Sequence, residues 1–116
     1  MDSINILKNN DLTIASGASL SSALSLDTQR VIAISMPATW TTANLTFQAS
    51  SDGTTYKDIY LEDGTELNYS ASASRYILCK PVHFAGVKFL KLRSGTSETA
   101  VNQAGDRTIR VITREY

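Results

Sequence analysis

The chain has 116 residues, 42% of them apolar, which is enough for one domain with its own hydrophobic core. Eleven basic and eleven acidic residues give a formal charge of zero. This balance argues against a nonspecific nucleic-acid binder and against general attraction to an anionic membrane. The single cysteine, Cys79, excludes an intrachain disulfide, and we interpret it as a small buried apolar side chain.

The N-terminal residues, MDSINILKNNDL, lack a basic segment followed by a long apolar run, so we expect no signal peptide. No apolar run approaches the roughly 18 residues that a membrane span needs. The sequence therefore predicts a protein made and folded in a cytoplasm. We assign residues 1–11 to an N-terminal arm, with Ile4, Ile6 and Leu7 as its anchors, and residues 12–116 to one β-sandwich domain.

Strand signals follow the arm. Residues 12–16 and 20–26 are predicted as short strands around a turn at Gly17. The apolar run VIAISM, residues 31–36, indicates a central strand covered on both faces and ended by Pro37. Trp40 lies in the next connection, where we expect it to cap one end of the core with its indole N–H bonded to a partner.

The segment NLTFQASSDGTTYKDIYL, residues 44–61, carries the strongest local signal in the chain. Leu45, Phe47 and Ala49 alternate with polar residues, which is the period of a half-buried strand. Asp52-Gly53 is a tight-turn dipeptide, and β-branched and aromatic residues resume after it. The pattern predicts a β-hairpin.

The second half continues in the same way. An edge strand is predicted at 65–69, a flexible loop at 70–74, strands at 75–80 and 87–93, a long loop at 94–106 and a final strand at 107–114. Helical periodicity of useful length is absent from the sequence. We predict an all-β fold, an antiparallel two-sheet sandwich of jelly-roll type with about eight strands.

Catalytic and metal-binding patterns are not found in the sequence. His83 is the single histidine, and no serine lies in a G-x-S-x-G motif. Cys79 and His83 are too few for zinc, and Asp52, Asp58 and Asp63 lack the order of an EF-hand. We therefore predict no enzymatic activity, no cofactor and no metal site, while a calcium ion in a loop stays an open alternative.

Binding surfaces have more than one interpretation. A basic stripe would form if the strands 87–93 and 107–114 paired, and it would be either a docking surface or, as we favour, solvent-facing charge that protects sheet edges. Aromatic residues are either half-buried strand residues or binding anchors. A sugar site would need Trp40, Tyr69 and His83 to converge. The stripe would comprise Lys88, Lys91, Arg93, Arg107, Arg110 and Arg114.

Two resemblances can be stated. FQASSDGTTYKDIY and RYILCKPVHFAGVKFLKLR are similar to the second half of a discoidin-like (galactose-binding-like) jelly roll, with Ser50, Asp52, Gly53 and Tyr56 on that family's pattern. This resemblance implies a jelly roll and a carbohydrate-binding module as one function. The disulfide common in extracellular members and matching sugar-binding arginines are not present in this sequence.

The second resemblance includes loop residues. Met36 to Gly53, Leu92 to Thr96 (LRSGT) and Val101 to Arg107 (VNQAGDR) resemble small structural proteins of tailed bacteriophages and prophages. That resemblance implies a virion component made in the host cytoplasm: a head decoration or cement protein, or a fibre or spike base. It implies no catalytic residues.

From the residues and this resemblance we predict a non-enzymatic virion protein, and among virion roles we favour a head decoration or cement protein. Such a protein would bind the major capsid protein or another virion protein and form homo-oligomers in the particle. A carbohydrate-binding module and a tail or fibre-base adaptor are the alternatives. The loop 94–106 is a further contact candidate, because long loops in compact domains are often functional. The predicted contact residues are Ile4, Ile6, Leu7, Trp40, Arg93 and Arg107.

Overall fold

A computed structural model describes residues 7–115. Within that range the chain forms eight β-strands and one short 3₁₀ helix, Pro81–Phe84. No helix in this range is long and apolar enough to cross a membrane. The strands are β1 Leu7–Ile14, β2 Leu24–Ser25, β3 Gln29–Ser35, β4 Leu45–Ser50, β5 Lys57–Asp58, β6 Tyr76–Leu78, β7 Phe89–Ser94 and β8 Arg107–Glu115.

The strands form two antiparallel sheets of four, in the orders β1-β8-β3-β6 and β2-β7-β4-β5. β1 pairs with β8, β2 with β7, β3 with β6 and β4 with β5, so the strand numbers in each pair sum to nine. A chain paired in this way is one long antiparallel ribbon rolled into two sheets, which is the jelly roll. The predicted all-β two-sheet sandwich is confirmed.

The core lies between the two sheets. Val31, Ile34 and Val111 from one sheet and Phe47 and Leu92 from the other have no solvent exposure. Phe47 makes edge-to-face contacts with Phe84 at 5.5 Å and with Tyr69 at 5.7 Å between ring centroids. The 3₁₀ helix thus closes the core by inserting its last residue beside the central ring.

The predicted hairpin is confirmed, with a shorter second strand. Gln48 pairs with Asp58 and Ala49 with Lys57, and then β5 ends. The predicted strands at 54–61 and 65–69 are mostly isolated bridges, such as Tyr60 with Glu66. The wide turn that precedes β5 uses residues for its own hydrogen bonds, which removes them from the ladder.

The start of the sandwich also differs from the prediction. β1 begins at Leu7, so residues 7–11 are strand and not arm, whereas Ile4 and Ile6 lie outside the described residues. Asn and Asp are poor strand formers, but the full register of β1 with β8 outweighs this local preference. The predicted strand at 20–26 reduces to β2 and one bridge from Leu20, as its Ser/Ala-rich composition has little β propensity.

Cys79 is buried, as predicted for a small apolar side chain. Burial raises the pKa of its thiol to about 12. The thiol therefore stays protonated at neutral pH and is a poor nucleophile.

Asp52 gives the fold a measurable pH dependence. Its Oδ1 accepts hydrogen bonds from the backbone N–H groups of Thr55 and Thr54 at 2.9 and 2.8 Å and from Ser50 Oγ at 2.8 Å. These bonds lower the pKa of the Asp52 carboxyl from its ordinary 3.8 to about 2. Because the folded pKa is the lower one, the stabilisation is complete above pH 3.8 and is lost as the pH falls toward about 2.

We therefore expect the melting temperature of the wild type to fall more steeply than that of Asp52→Asn between pH 5 and about 2, since the amide does not titrate. Thermal unfolding followed by circular dichroism across this range measures both slopes. Parallel curves for the two proteins would contradict the assignment.

Candidate functional site

A buried glutamine joins three segments at one end of the sandwich. Gln103 is 1% exposed. Its Nε2 donates to the carbonyl oxygen of Thr41 at 3.0 Å and to Ser94 Oγ at 2.7 Å. Its Oε1 accepts from the N–H of Thr41 at 2.8 Å and from Arg107 Nε at 3.1 Å. We call Thr41, Ser94, Gln103 and Arg107 the Gln103 network; it leaves no amide atom of Gln103 without a partner.

The same residue fixes the loop 94–106 through its backbone. The N–H of Gln103 donates to the carbonyl oxygen of Ala18 at 2.9 Å, and its carbonyl oxygen accepts from Gly17 N–H at 2.8 Å. At the start of the loop, Gly95 N–H donates to the carbonyl oxygen of Asn44 at 2.8 Å. The long loop is therefore held at both ends by neighbouring segments.

Two of the predicted contact residues lie at this end of the sandwich, Trp40 beside the Gln103 network and Arg107 within it. Trp40 is partly buried against the core, and its Nε1 donates to the carbonyl oxygen of Ala43 at 3.0 Å, as predicted for a capping indole. Arg107 is bonded to Gln103 and contributes to the network rather than projecting freely. Leu7 lies elsewhere, at the start of the edge strand β1, and is 49% exposed. Their contacts with a partner stay a prediction.

Arg93 has an internal role that the sequence did not indicate. It is 5% exposed, and its guanidinium contacts the carboxylates of Asp58 and, at 3.3 Å, Glu66. Glu66 also accepts from the N–H of Ser97 at 3.2 Å. A buried charge needs this pairing because its desolvation is expensive. We call Arg93, Asp58 and Glu66 the Arg93 triad; it ties the β4–β5 region to the loop 94–106 around a buried guanidinium.

The basic stripe that would follow from pairing of the strands 87–93 and 107–114 is not formed. β7 and β8 belong to different sheets, so their cations do not line one surface. Lys91 lies over the ring of Tyr56 at 4.3 Å from its centroid, and Arg110 Nε donates to Asp11 Oδ1 at 3.0 Å. The stripe required β7 to pair with β8. In the structure β7 pairs instead with β2, and β8 with β1.

A cleft lies between the turn after β5 and the 3₁₀ helix. Its volume is about 430 Å³. Tyr60 and Val82 give it exposed apolar walls, at 52% and 72% exposure, and two carboxylates lie beside them. We call it the apolar cleft; it is lined by Tyr60, Leu61, Glu62, Asp63, Val82 and His83.

His83 reaches this cleft from the 3₁₀ helix. Its Nδ1 lies 3.3 Å from the hydroxyl of Tyr69, which also accepts from the N–H of Lys80 at 3.3 Å. Burial raises the pKa of Tyr69, so its hydroxyl stays neutral at physiological pH. Of the predicted sugar-site residues, Tyr69 and His83 therefore meet. His83 lines the cleft, whereas Tyr69 and Trp40 are not among its lining residues.

Within residues 7–115, no three His, Cys, Asp or Glu side chains come together as a metal ion would need. Neither Gln103 nor the apolar cleft was identified as a site from the sequence. The motif VNQAGDR contained the glutamine, but a glutamine in a polar loop gives no local signal of burial.

The comparisons with known proteins support the architecture. No protein-family model matches the chain, and no curated protein matches it. Among solved structures, the fold is similar to that of the SPBc2 prophage-derived protein YomS, with a TM-score of 0.56 at 16% sequence identity. The match covers 97% of this chain and 98% of the other. The two proteins share a fold over nearly their whole length.

Replacing Gln103 by alanine removes its side-chain hydrogen bonds to the N–H and C=O of Thr41, to Ser94 Oγ and to Arg107 Nε. Unpaired buried polar groups cost about 1–3 kcal/mol each, so we expect Gln103→Ala to lower the free energy of unfolding by about 3 kcal/mol. The exposed neighbour Asn102 is the control. We expect Asn102→Ala to change the free energy of unfolding by less than about 0.5 kcal/mol. Urea unfolding measures both; equal effects would show that the network does not stabilise the loop.

At Gly95 the start of the loop 94–106 lies close to the backbone of residues 99–101. Gly95 has a φ of +92°, and a Cβ there would lie 2.5 Å from the carbonyl oxygen of Thr99. Gly64 has a φ of +89° but no atom within 4 Å of such a Cβ. We expect Gly64→Ala to cost about 1–2 kcal/mol from the backbone alone and Gly95→Ala clearly more in the same unfolding experiment. Similar losses would mean that the loop moves aside.

Proposed function

We propose that this protein is a non-enzymatic structural component of a tailed-bacteriophage particle, attached to the head surface as a decoration or cement protein. The observation that carries the proposal is the likeness in fold, over 97% of the chain, to a prophage-derived protein. A shared fold alone is compatible with many functions. The convergence of the phage-like sequence segments supplies the second support.

Those segments lie apart in the chain but meet in the Gln103 network. Thr41 belongs to the segment 36–53, Ser94 to 92–96, and Gln103 and Arg107 to 101–107. The resemblance therefore follows a structural unit that holds the loop 94–106 in place. A rigid end of the sandwich suits a protein that binds by shape, because little conformational entropy is then lost on binding.

The described polar groups also favour a binding role over a catalytic one. Arg93, Gln103 and Arg107 are bonded to other residues of the same chain, and His83 Nδ1 is beside a neutral tyrosine hydroxyl. These groups maintain the fold. Among the described residues, the large apolar side chains that stay exposed are the ones left for recognition: Leu7, Tyr60, Tyr76, Leu78 and Val82.

The apolar cleft is the contact that we assign to the capsid subunit. Tyr60 and Val82 offer exposed apolar walls, and Glu62 and Asp63 place negative charge at the same cleft. The complementary group is an apolar side chain followed by a basic one. Many copies on a symmetric particle make such a modest contact sufficient, because each attachment adds to the stability of the shell.

A carbohydrate-binding module is the second candidate, favoured by the same cleft. The exposed ring of Tyr60 is a stacking surface, and Glu62, Asp63 and His83 offer hydrogen-bonding groups to sugar hydroxyls. A tail or fibre-base adaptor would use the same surfaces at another place on the particle. Location on the particle separates it from the head protein.

We expect the purified protein to co-sediment with phage heads that lack it and to appear on the head lattice by electron microscopy. Glu62→Lys should weaken this binding at least about tenfold, because it reverses the charge at the cleft. Glu98→Lys makes the same charge change on the exposed tip of the loop 94–106, and it is the matched control.

The outcomes are distinct. Loss of binding in Glu98→Lys alone would move the contact from the cleft to the loop. Absence of binding to heads, with specific binding of a glycan in calorimetric titration, would replace the virion role by the carbohydrate module. Binding to tails alone would select the adaptor.

A further inference from the structure

We infer that the outer edge of β6 is a self-association surface, on which the β6 strand of a second copy of this chain adds antiparallel about a two-fold axis through Ile77. β6 is the last strand of the sheet β1-β8-β3-β6, and among residues 7–115 no strand pairs with its outer side. This interface does not depend on the proposed virion role.

The hydrogen-bond pattern leaves the backbone of Tyr76 and Leu78 directed outward. Cys79 N–H donates to the carbonyl oxygen of Ile32 at 2.9 Å, and Met36 N–H donates to that of Arg75 at 2.8 Å. In an antiparallel ladder, hydrogen-bonded pairs alternate with non-bonded pairs. Ala33 with Leu78 and Ser35 with Tyr76 are therefore the non-bonded pairs, whose β6 residues present N–H and C=O to the open edge.

The side chains at this edge are exposed and apolar. Leu78 is 78% exposed and Tyr76 is 58% exposed, while Ile77 between them faces the core. Val82 follows on the 3₁₀ helix at 72% exposure. Apolar side chains on an edge strand favour pairing with another strand, because natural edges normally carry charge there.

A two-fold axis through Ile77 uses both outward residues at once. It places Tyr76 of one copy opposite Leu78 of the other, and Leu78 opposite Tyr76. Each such pair exchanges two backbone hydrogen bonds, and its aromatic and aliphatic side chains pack together on one face. A shift of this register by two residues would leave one of the outward residues opposite a loop residue.

The strand that pairs with β6 is the β6 of a second copy rather than that copy's β1, which is the opposite edge of the same sheet. The side chains of β1 opposite Tyr76 and Leu78 would include Asn9 and Asp11. Such a pairing would join apolar to polar side chains, and a head-to-tail contact would continue into an open filament. The two-fold pairing is closed and joins apolar to apolar.

The interface is small. Three-residue strands bury much less than the roughly 800 Å² per partner of a standard interface, so we expect a dissociation constant between about 10 µM and 1 mM. Dimers should therefore appear only in concentrated solution.

Sedimentation equilibrium of the full chain across this concentration range tests the inference. We expect a monomer–dimer equilibrium that Leu78→Lys weakens at least about tenfold. Asn9→Lys introduces the same charge at an exposed position of β1, the opposite edge of the same sheet, and should leave the dimer unchanged. A monomer throughout, or equal weakening by both variants, would overturn the inference. Circular dichroism confirms that each variant is folded.

Disulfide formation tests the register directly. In a Cys79→Ala background, Tyr76→Cys and Leu78→Cys copies should form a disulfide on oxidation only when they are mixed. Opposed residues of a hydrogen-bonded pair have Cα atoms about 5.5 Å apart, within disulfide range, whereas the diagonal pairs lie beyond about 7 Å. Disulfides within either variant alone, or none in the mixture, would overturn the two-fold register.

Discussion

The rolled antiparallel ribbon is the constraint on which the other features of this structure depend. Along the ribbon, β1 pairs with β8, β2 with β7, β3 with β6 and β4 with β5. Two further pairings, β3 with β8 and β4 with β7, join these pairs into the two sheets. Each sheet has one apolar face, and the two apolar faces are buried by packing against each other. Phe47 shows the result, since its ring is enclosed by the opposite sheet, Tyr69 and Phe84.

Rolling the ribbon also takes polar groups out of water. The connection at Thr41, the end of β7 and the loop 94–106 are brought together at one end, where their peptide groups need partners. Gln103 supplies these partners with a single amide. Arg93 serves a similar purpose on the outer side of its sheet, where Asp58 and Glu66 neutralise it under a cover of loops. Buried polar contacts thus fix the loops in this protein.

The contrast between these hydrogen-bonded polar groups inside the protein and an exposed apolar flank bears on function. The described exposed large apolar residues, apart from Leu7, lie at the apolar cleft or on β6 and the helix that follows it. Exposed apolar patches on a soluble domain mark interaction sites. The proposed head attachment uses the cleft, and the proposed self-association uses the neighbouring edge, so one flank of the sandwich accounts for both.

The sequence by itself determined the fold class, the β4–β5 hairpin, the capping position of Trp40 and the burial of Cys79, because alternation and turn residues act over a few neighbours. It did not determine that residues 7–11 are strand, that Arg93 is internal or that β7 and β8 lie in different sheets. The tertiary structure decided these points. Pairing between strands as far apart as β1 and β8 sets which residues share a face, and a local pattern carries no information about a partner a hundred residues away.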